Sequence, residues 1–168
     1  YSLGLSQKNI LEIKQETNRF NLKGKVLPLT EHNVTLVAEM QNGEIIEGEH
    51  NITESKGQIK RVFYKEPTQV NPLVIKEIKE ADLIILSMGS LYTSVLPNII
   101  CKSVKETLQK SNAPIMYLCN AVTQPGETDN FTVSDHVKLL NKYLDKRKVD
   151  VVIASNTKRS EEHTSELQ

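Results

Sequence analysis

The chain has no tryptophan, and with three phenylalanines and five tyrosines in 168 residues its aromatic content is only 5%. Its core must therefore come mainly from Leu, Ile and Val, and stacking platforms for nucleic-acid bases are scarce. Cysteine is nearly absent as well, with Cys101 and Cys119 the only two. With no secretory signal in view, both read as reduced core residues, one on a helix and one on a strand, and not as a disulfide. An excess of either charge is also missing, since Lys+Arg and Asp+Glu are both 21. That balance leaves no electrostatic footprint for nucleic acid or for an acidic membrane surface. No apolar run approaches the roughly 20 residues of a membrane-spanning helix. No internal repeat or low-complexity segment is evident.

What is there is a change of pattern along the chain. Ser6 can cap a helix running to about Phe20, with Ile10, Ile13, Thr17 and Phe20 on one face. Lys23-Gly24 ends it, and Lys25 to Leu29 reads as a strand or extended connection. From about Thr35 to Ile46 two strand-like runs flank Asn42-Gly43, which predicts a hairpin closed by a type I′ turn. Ile59 to Tyr64 would extend it into a small antiparallel sheet. From Pro72 onward helix and strand alternate. The spacing predicts helices over Leu73–Ala81, Asn98–Lys110 and Val133–Leu144, the last behind a Thr132-Val133-Ser134-Asp135 capping box. Ile100, Val104 and Leu108 mark the apolar side of the second helix, and Val133, Val137, Leu140 and Leu144 that of the third. Buried strands are expected at Asp82–Leu86, Pro114–Cys119 and Val149–Ala154, the first covered on both faces. This is an α/β chain, mostly a parallel sheet with flanking helices and a small β-hairpin insertion.

Two loops can carry chemistry. Ser87 to Ser94 follows the Asp82–Leu86 strand and opens a helical pattern. Gly89 permits close backbone approach there, while Ser90, Thr93 and Ser94 offer hydroxyls suited to an anion. The loop lacks the lysine and second glycine of a Walker motif, and a plain capped βα turn would have the same composition. Asn120 to Asp129 follows the next strand. Asn120, Thr123 and Gln124 can hydrogen-bond a base, sugar or amide, and Pro125-Gly126 signals a turn. Glu127 and Asp129 read as solvated turn residues. No nucleophile–histidine pair has a recognisable spacing, so no catalytic residue is assigned. His136 reads as structural or surface, and His32 and His50 lie far from cysteine or carboxylate clusters, so no metal site is assigned. Both loops should line one edge of the sheet, where open α/β sheets bind ligands.

GSLYTSVLPN, CNAVTQPGETDNFTVSDHV, KGKVLPLTEHNVTLVAEMQNG and IKRVFY together resemble the gluconeogenesis factor family, within the CofD-like (2-phospho-L-lactate transferase) superfamily. The likeness runs in order from about Lys23 to Asn156. It implies a Rossmann-like fold and a cytoplasmic bacterial protein that binds a UDP-sugar such as UDP-N-acetylglucosamine and has no other cofactor. The implied role is regulatory, acting through a protein partner to link gluconeogenic carbon supply to envelope precursor synthesis and cell shape. A homo-oligomer is compatible with that role. Gly89, Ser90, Leu91, Tyr92, Thr93, Ser94, Asn120, Thr123 and Gln124 match the family loops and are carried over as ligand contacts. The alternative is a phosphotransferase of the 2-phospho-L-lactate transferase type, which would need a divalent metal. Family members open with a glycine-rich GGGTG loop and an Asp-Asp-Gly-Gly segment, neither of which occurs here. Their common Gly-Pro-Gly-Ser is Ser87-Met88-Gly89-Ser90 in this chain. Residues 1–158 are thus expected to be a fragment of one such domain. The tail 159–168, RSEEHTSELQ, coincides with a translated sequencing-library adapter and is set aside.

Overall fold

A computed structural model describes residues 24–55 and 57–155. The helix expected over 6–20 and the tail 159–168 lie outside the described residues. Two three-stranded sheets organise the rest. The first is antiparallel, with β1 (Leu36–Met40) between β2 (Ile45–Glu47) and β3 (Ile59–Tyr64). Leu36, Ala38 and Met40 alternate toward the core and meet Ile59 and Val62 from β3, which gives this sheet a buried face. The hairpin forms where expected, but its turn is not type I′. Asn42 keeps a negative φ and Gly43 alone is positive at 87°, with Gly43 N–H donating to Met40 O at 3.0 Å. This is the three-residue loop with a glycine bulge, which requires one left-handed residue where type I′ requires two. A short helix, α1 (Glu49–Glu54), was not anticipated. It rests on one fully buried residue, Ile52.

The second sheet is parallel, in the order β4 (Ile84–Leu86), β5 (Ile115–Leu118), β6 (Val151–Ile153). Lys25 to Leu29 is an extended connection that reaches it beside α2 (Pro72–Glu80), where Leu29 O accepts from Asn71 N at 2.8 Å. Asn71 caps α2 through Leu73 N, and Pro72 fits the first turn because its missing N–H has no partner there anyway. The helix expected over Asn98–Lys110 is broken in two, because α3 (Leu96–Ile99) ends early and α4 (Lys102–Lys110) restarts after an extended Cys101. A π-helical turn over Leu91–Val95 precedes α3 and was not anticipated. This turn and α3 are almost wholly buried, which periodicity read from Asn98 could not register.

The last helix, α5 (Val133–Leu144), has the boundaries and the Thr132–Asp135 capping box that the sequence predicts. Those hydrogen bonds from Thr132 hold the Asp135 carboxyl below the usual carboxylate range. Its buried stripe is shifted, however. His136, Leu140 and Leu144 face inward, while Val133 is 40% exposed. Cys101 and Cys119 are free and buried, as expected. β4 is not covered on both faces. Ile84 and Leu86 pack inward, but Leu83, Ile85, Val151 and Ile153 leave the opposite face of the sheet open among the described residues. No described helix is long and apolar enough to cross a membrane.

Candidate functional site

β4 and β5 run parallel as neighbours, with Leu86 opposite Tyr117, so the loops leaving their carboxyl ends emerge side by side. The Asn120 side chain then latches them together. Gly89 N–H donates to Asn120 Oδ1 at 3.0 Å, and Asn120 Nδ2 donates to Gly89 O at 2.8 Å. This pair acts as one further rung of the parallel ladder, made by a side chain. Gly89 has no positive φ, and a Cβ there would meet only Ser94, at 3.4 Å. Neither backbone conformation nor packing demands glycine at this position.

The Ser90 and Thr93 hydroxyls of the first loop are turned inward. Ser90 Oγ donates to Glu127 Oε2 at 2.5 Å and accepts from Thr93 N at 3.1 Å and Thr93 Oγ1 at 2.6 Å. That uses its one hydrogen and both lone pairs. Tyr92 N also donates to Glu127 Oε2, at 3.4 Å, and Thr93 Oγ1 lies 3.5 Å from Oε1. Glu127 is therefore 5% exposed and is an anchor of the loop, not the solvated turn residue that the sequence suggests. The missed signal is geometric, because Pro125-Gly126 folds the second loop back over the first. Gly126 has φ +81°, and a Cβ there would lie 2.8 Å from Ser55 O at the end of α1. Asp129 stays exposed and accepts from Gly126 N at 2.7 Å.

Three of the expected contacts are thereby placed in the core. Leu91 is fully buried, Thr93 is nearly so, and Tyr92 is buried with its hydroxyl donating to Ile59 O at 3.4 Å. Burial pushes that hydroxyl up to about 12, so it stays a neutral donor. Ser94 and Thr123 are exposed, and Gln124 keeps a buried Oε1 that has no hydrogen-bond partner. Thr128, with no exposure, accepts from Gln124 N at 2.8 Å and closes the second loop on itself. His136, 3% exposed, lies 2.9 Å from the Tyr117 hydroxyl and edge-on to Phe131, so it sits in the core and not at the surface. Burial lowers its pKa. A cavity of about 430 Å³ adjoins both loops, lined among others by Tyr92, Glu127, Phe131, Lys60 and Lys142. Among the described residues no three His, Cys, Asp or Glu side chains gather as a metal site.

Comparison with known proteins follows the same lines. A family model described as 2-phospho-L-lactate transferase CofD matches residues 6–168. The chain is 45% identical over 138 residues to the gluconeogenesis factor of Bacillus subtilis, covering 81% of this chain and 43% of that protein. A Thermotoga maritima protein carrying the same factor name is 45% identical over 141 residues, 84% of this chain and 45% of that one. The chain thus spans about half the length of the curated relatives it matches. Among solved structures, a UPF0052 family member from Bacillus halodurans superposes with TM-score 0.82 at 36% identity, over 88% of this chain and 48% of that one.

Proposed function

The chain belongs to the family described as 2-phospho-L-lactate transferase CofD, and on that premise we propose that it binds a nucleotide sugar of the UDP-N-acetylglucosamine type on the open side of the paired Gly89 and Asn120 turns. The observation that carries this reading is the reciprocal Gly89–Asn120 pair, which sets two polar turns side by side at the carboxyl end of a parallel sheet. A glycine that neither packing nor backbone conformation requires supports backbone approach by a phosphate. Exposed Ser94 and Thr123 and the unpartnered Gln124 Oε1 supply hydrogen-bonding groups for a sugar or base. We assign the bound form a regulatory role in the cytoplasm. It would act through a protein partner to link carbon supply on gluconeogenic nutrients to envelope precursor synthesis and cell shape. The relatives' names, gluconeogenesis factor, support the metabolic half of that role. Calorimetric titration of the intact polypeptide with UDP-N-acetylglucosamine is expected to give saturable heat. No heat at millimolar ligand overturns the reading.

The second reading is phosphoryl transfer, and the description of the matching family model favours it. The described residues offer no cluster of three His, Cys, Asp or Glu side chains to hold the divalent metal such a transfer would use. Turnover of a nucleotide-activated phospholactate by the intact polypeptide would establish this reading over the first.

A further inference from the structure

We propose that the cavity of about 430 Å³ lined by β3, the second loop and α5 is a second binding site, and that it takes a small organic anion, a carboxylate or phosphate ester carried on an apolar body. The inference stands apart from the nucleotide-sugar reading. Of the residues expected to touch that ligand only Tyr92 lines this cavity, and neither Gly89 nor Asn120 does. Its volume lies within the roughly 300–1,000 Å³ of small-molecule sites.

The walls come from parts of the chain far apart in sequence, and they divide by chemistry. Ile59 of β3, Tyr92, Phe131 and Leu139 of α5 supply the apolar surface. Tyr92 is fixed by its hydroxyl, which donates to Ile59 O at 3.4 Å, and Phe131 by its edge-on contact with His136. Lys60 enters from β3 and Lys142 from α5. Lys60 and Arg61 share one carboxylate, Glu39, at 2.5 Å each, so that group keeps a positive charge in excess. Lys142 has no acidic partner among the described residues. The two carboxyl groups on the walls are already engaged by the loops, Glu127 by the Ser90 hydroxyl and Asp129 by Gly126 N at 2.7 Å. A free ammonium beside an apolar wall attracts the head of an organic acid, while the wall takes its body out of water.

The test titrates the intact polypeptide with benzoate, phenyl phosphate and benzyl alcohol and follows the backbone amide resonances. Both anions are expected to bind saturably and to shift Ile59, Phe131 and Lys142, with benzyl alcohol about tenfold weaker. The tighter of the two anions identifies the head group, and either order supports the site. Lys142→Gln should weaken both anions about three- to fivefold and leave benzyl alcohol as it was. Lys146→Gln changes an exposed lysine outside the cavity and should have no effect. Shifts confined to Leu83, Ile85 and Ile153 would place the probes on the open sheet face and overturn the proposal. Equal binding of benzyl alcohol, an equal loss in Lys146→Gln, or no saturable shift at millimolar probe overturns it too. Failure of the same preparation to bind UDP-N-acetylglucosamine would end the nucleotide-sugar reading and leave this site standing.

Discussion

The two loops at the sheet edge look alike in composition and are built in opposite ways. Leu91 to Thr93 of the first loop are buried, and its Ser90 and Thr93 hydroxyls are closed on each other and on Glu127. The second is longer and exposes Ala121, Val122, Thr123 and Pro125, yet it supplies Asn120 and Glu127, the residues that hold the pair together. The serine-rich stretch that most resembles a ligand cradle is therefore largely scaffold. The groups open to a ligand lie at its margin and on the neighbouring loop. A polar side chain in a loop indicates that a hydrogen bond is made, but not with whom.

Three experiments would break or sharpen this contrast. Gly126→Ala should have the largest effect, because it combines a positive φ with a Cβ 2.8 Å from a backbone oxygen. A loss of about 3 kcal/mol is expected in denaturant unfolding. A neutral result would mean that the second loop does not pack against the end of α1. Asn120→Ala removes both bonds of the latch and should cost about 1–2 kcal/mol. Hydrogen exchange is expected to quicken at Gly89 while the Ser90–Glu127 network stays protected. Equal loosening throughout would show that the loops form one unit. Acidification should have the smallest effect. Burial lowers the His136 pKa below its unfolded value, so the unfolded chain takes up a proton before the folded one does. Stability should fall by a few degrees in melting temperature as pH drops from about 6.5 toward 5. His136→Leu should flatten that slope, and an unchanged slope would place the titrating group elsewhere.

Much of this architecture was legible in the sequence because it depends on local pattern. The Thr132–Asp135 box, the proline at the start of α2 and the three apolar strands of the parallel sheet follow from capping chemistry and periodicity alone. What was hidden depends on contacts distant in sequence. Asn42-Gly43 marks a turn, but the strand register decides whether one residue or two become left-handed. His136 occupies the stripe expected of Val133 because Tyr117, on another strand, offers it a hydroxyl. Glu127 is buried because Ser90, 37 positions away, donates to it. Both sheet-edge turns could be located from strand ends, whereas the direction of each hydroxyl could not. Burial of strands was overread, since an apolar run such as Leu83–Leu86 has the same letters whether one face is covered or two.

That open face also governs how the polypeptide behaves in a tube. Among the described residues Val151, Val152 and Ile153 form a short border strand that is more than a third exposed at every residue, and across β5 Ile85 and Leu83 add to the greasy face that Val151 and Ile153 present. Water wets such a surface poorly, and a border strand with no described neighbour on its outer edge is a template on which another chain can add. Preparations should turn cloudy as they are concentrated, and mild detergent or a lysine placed at Ile153 should keep them clear.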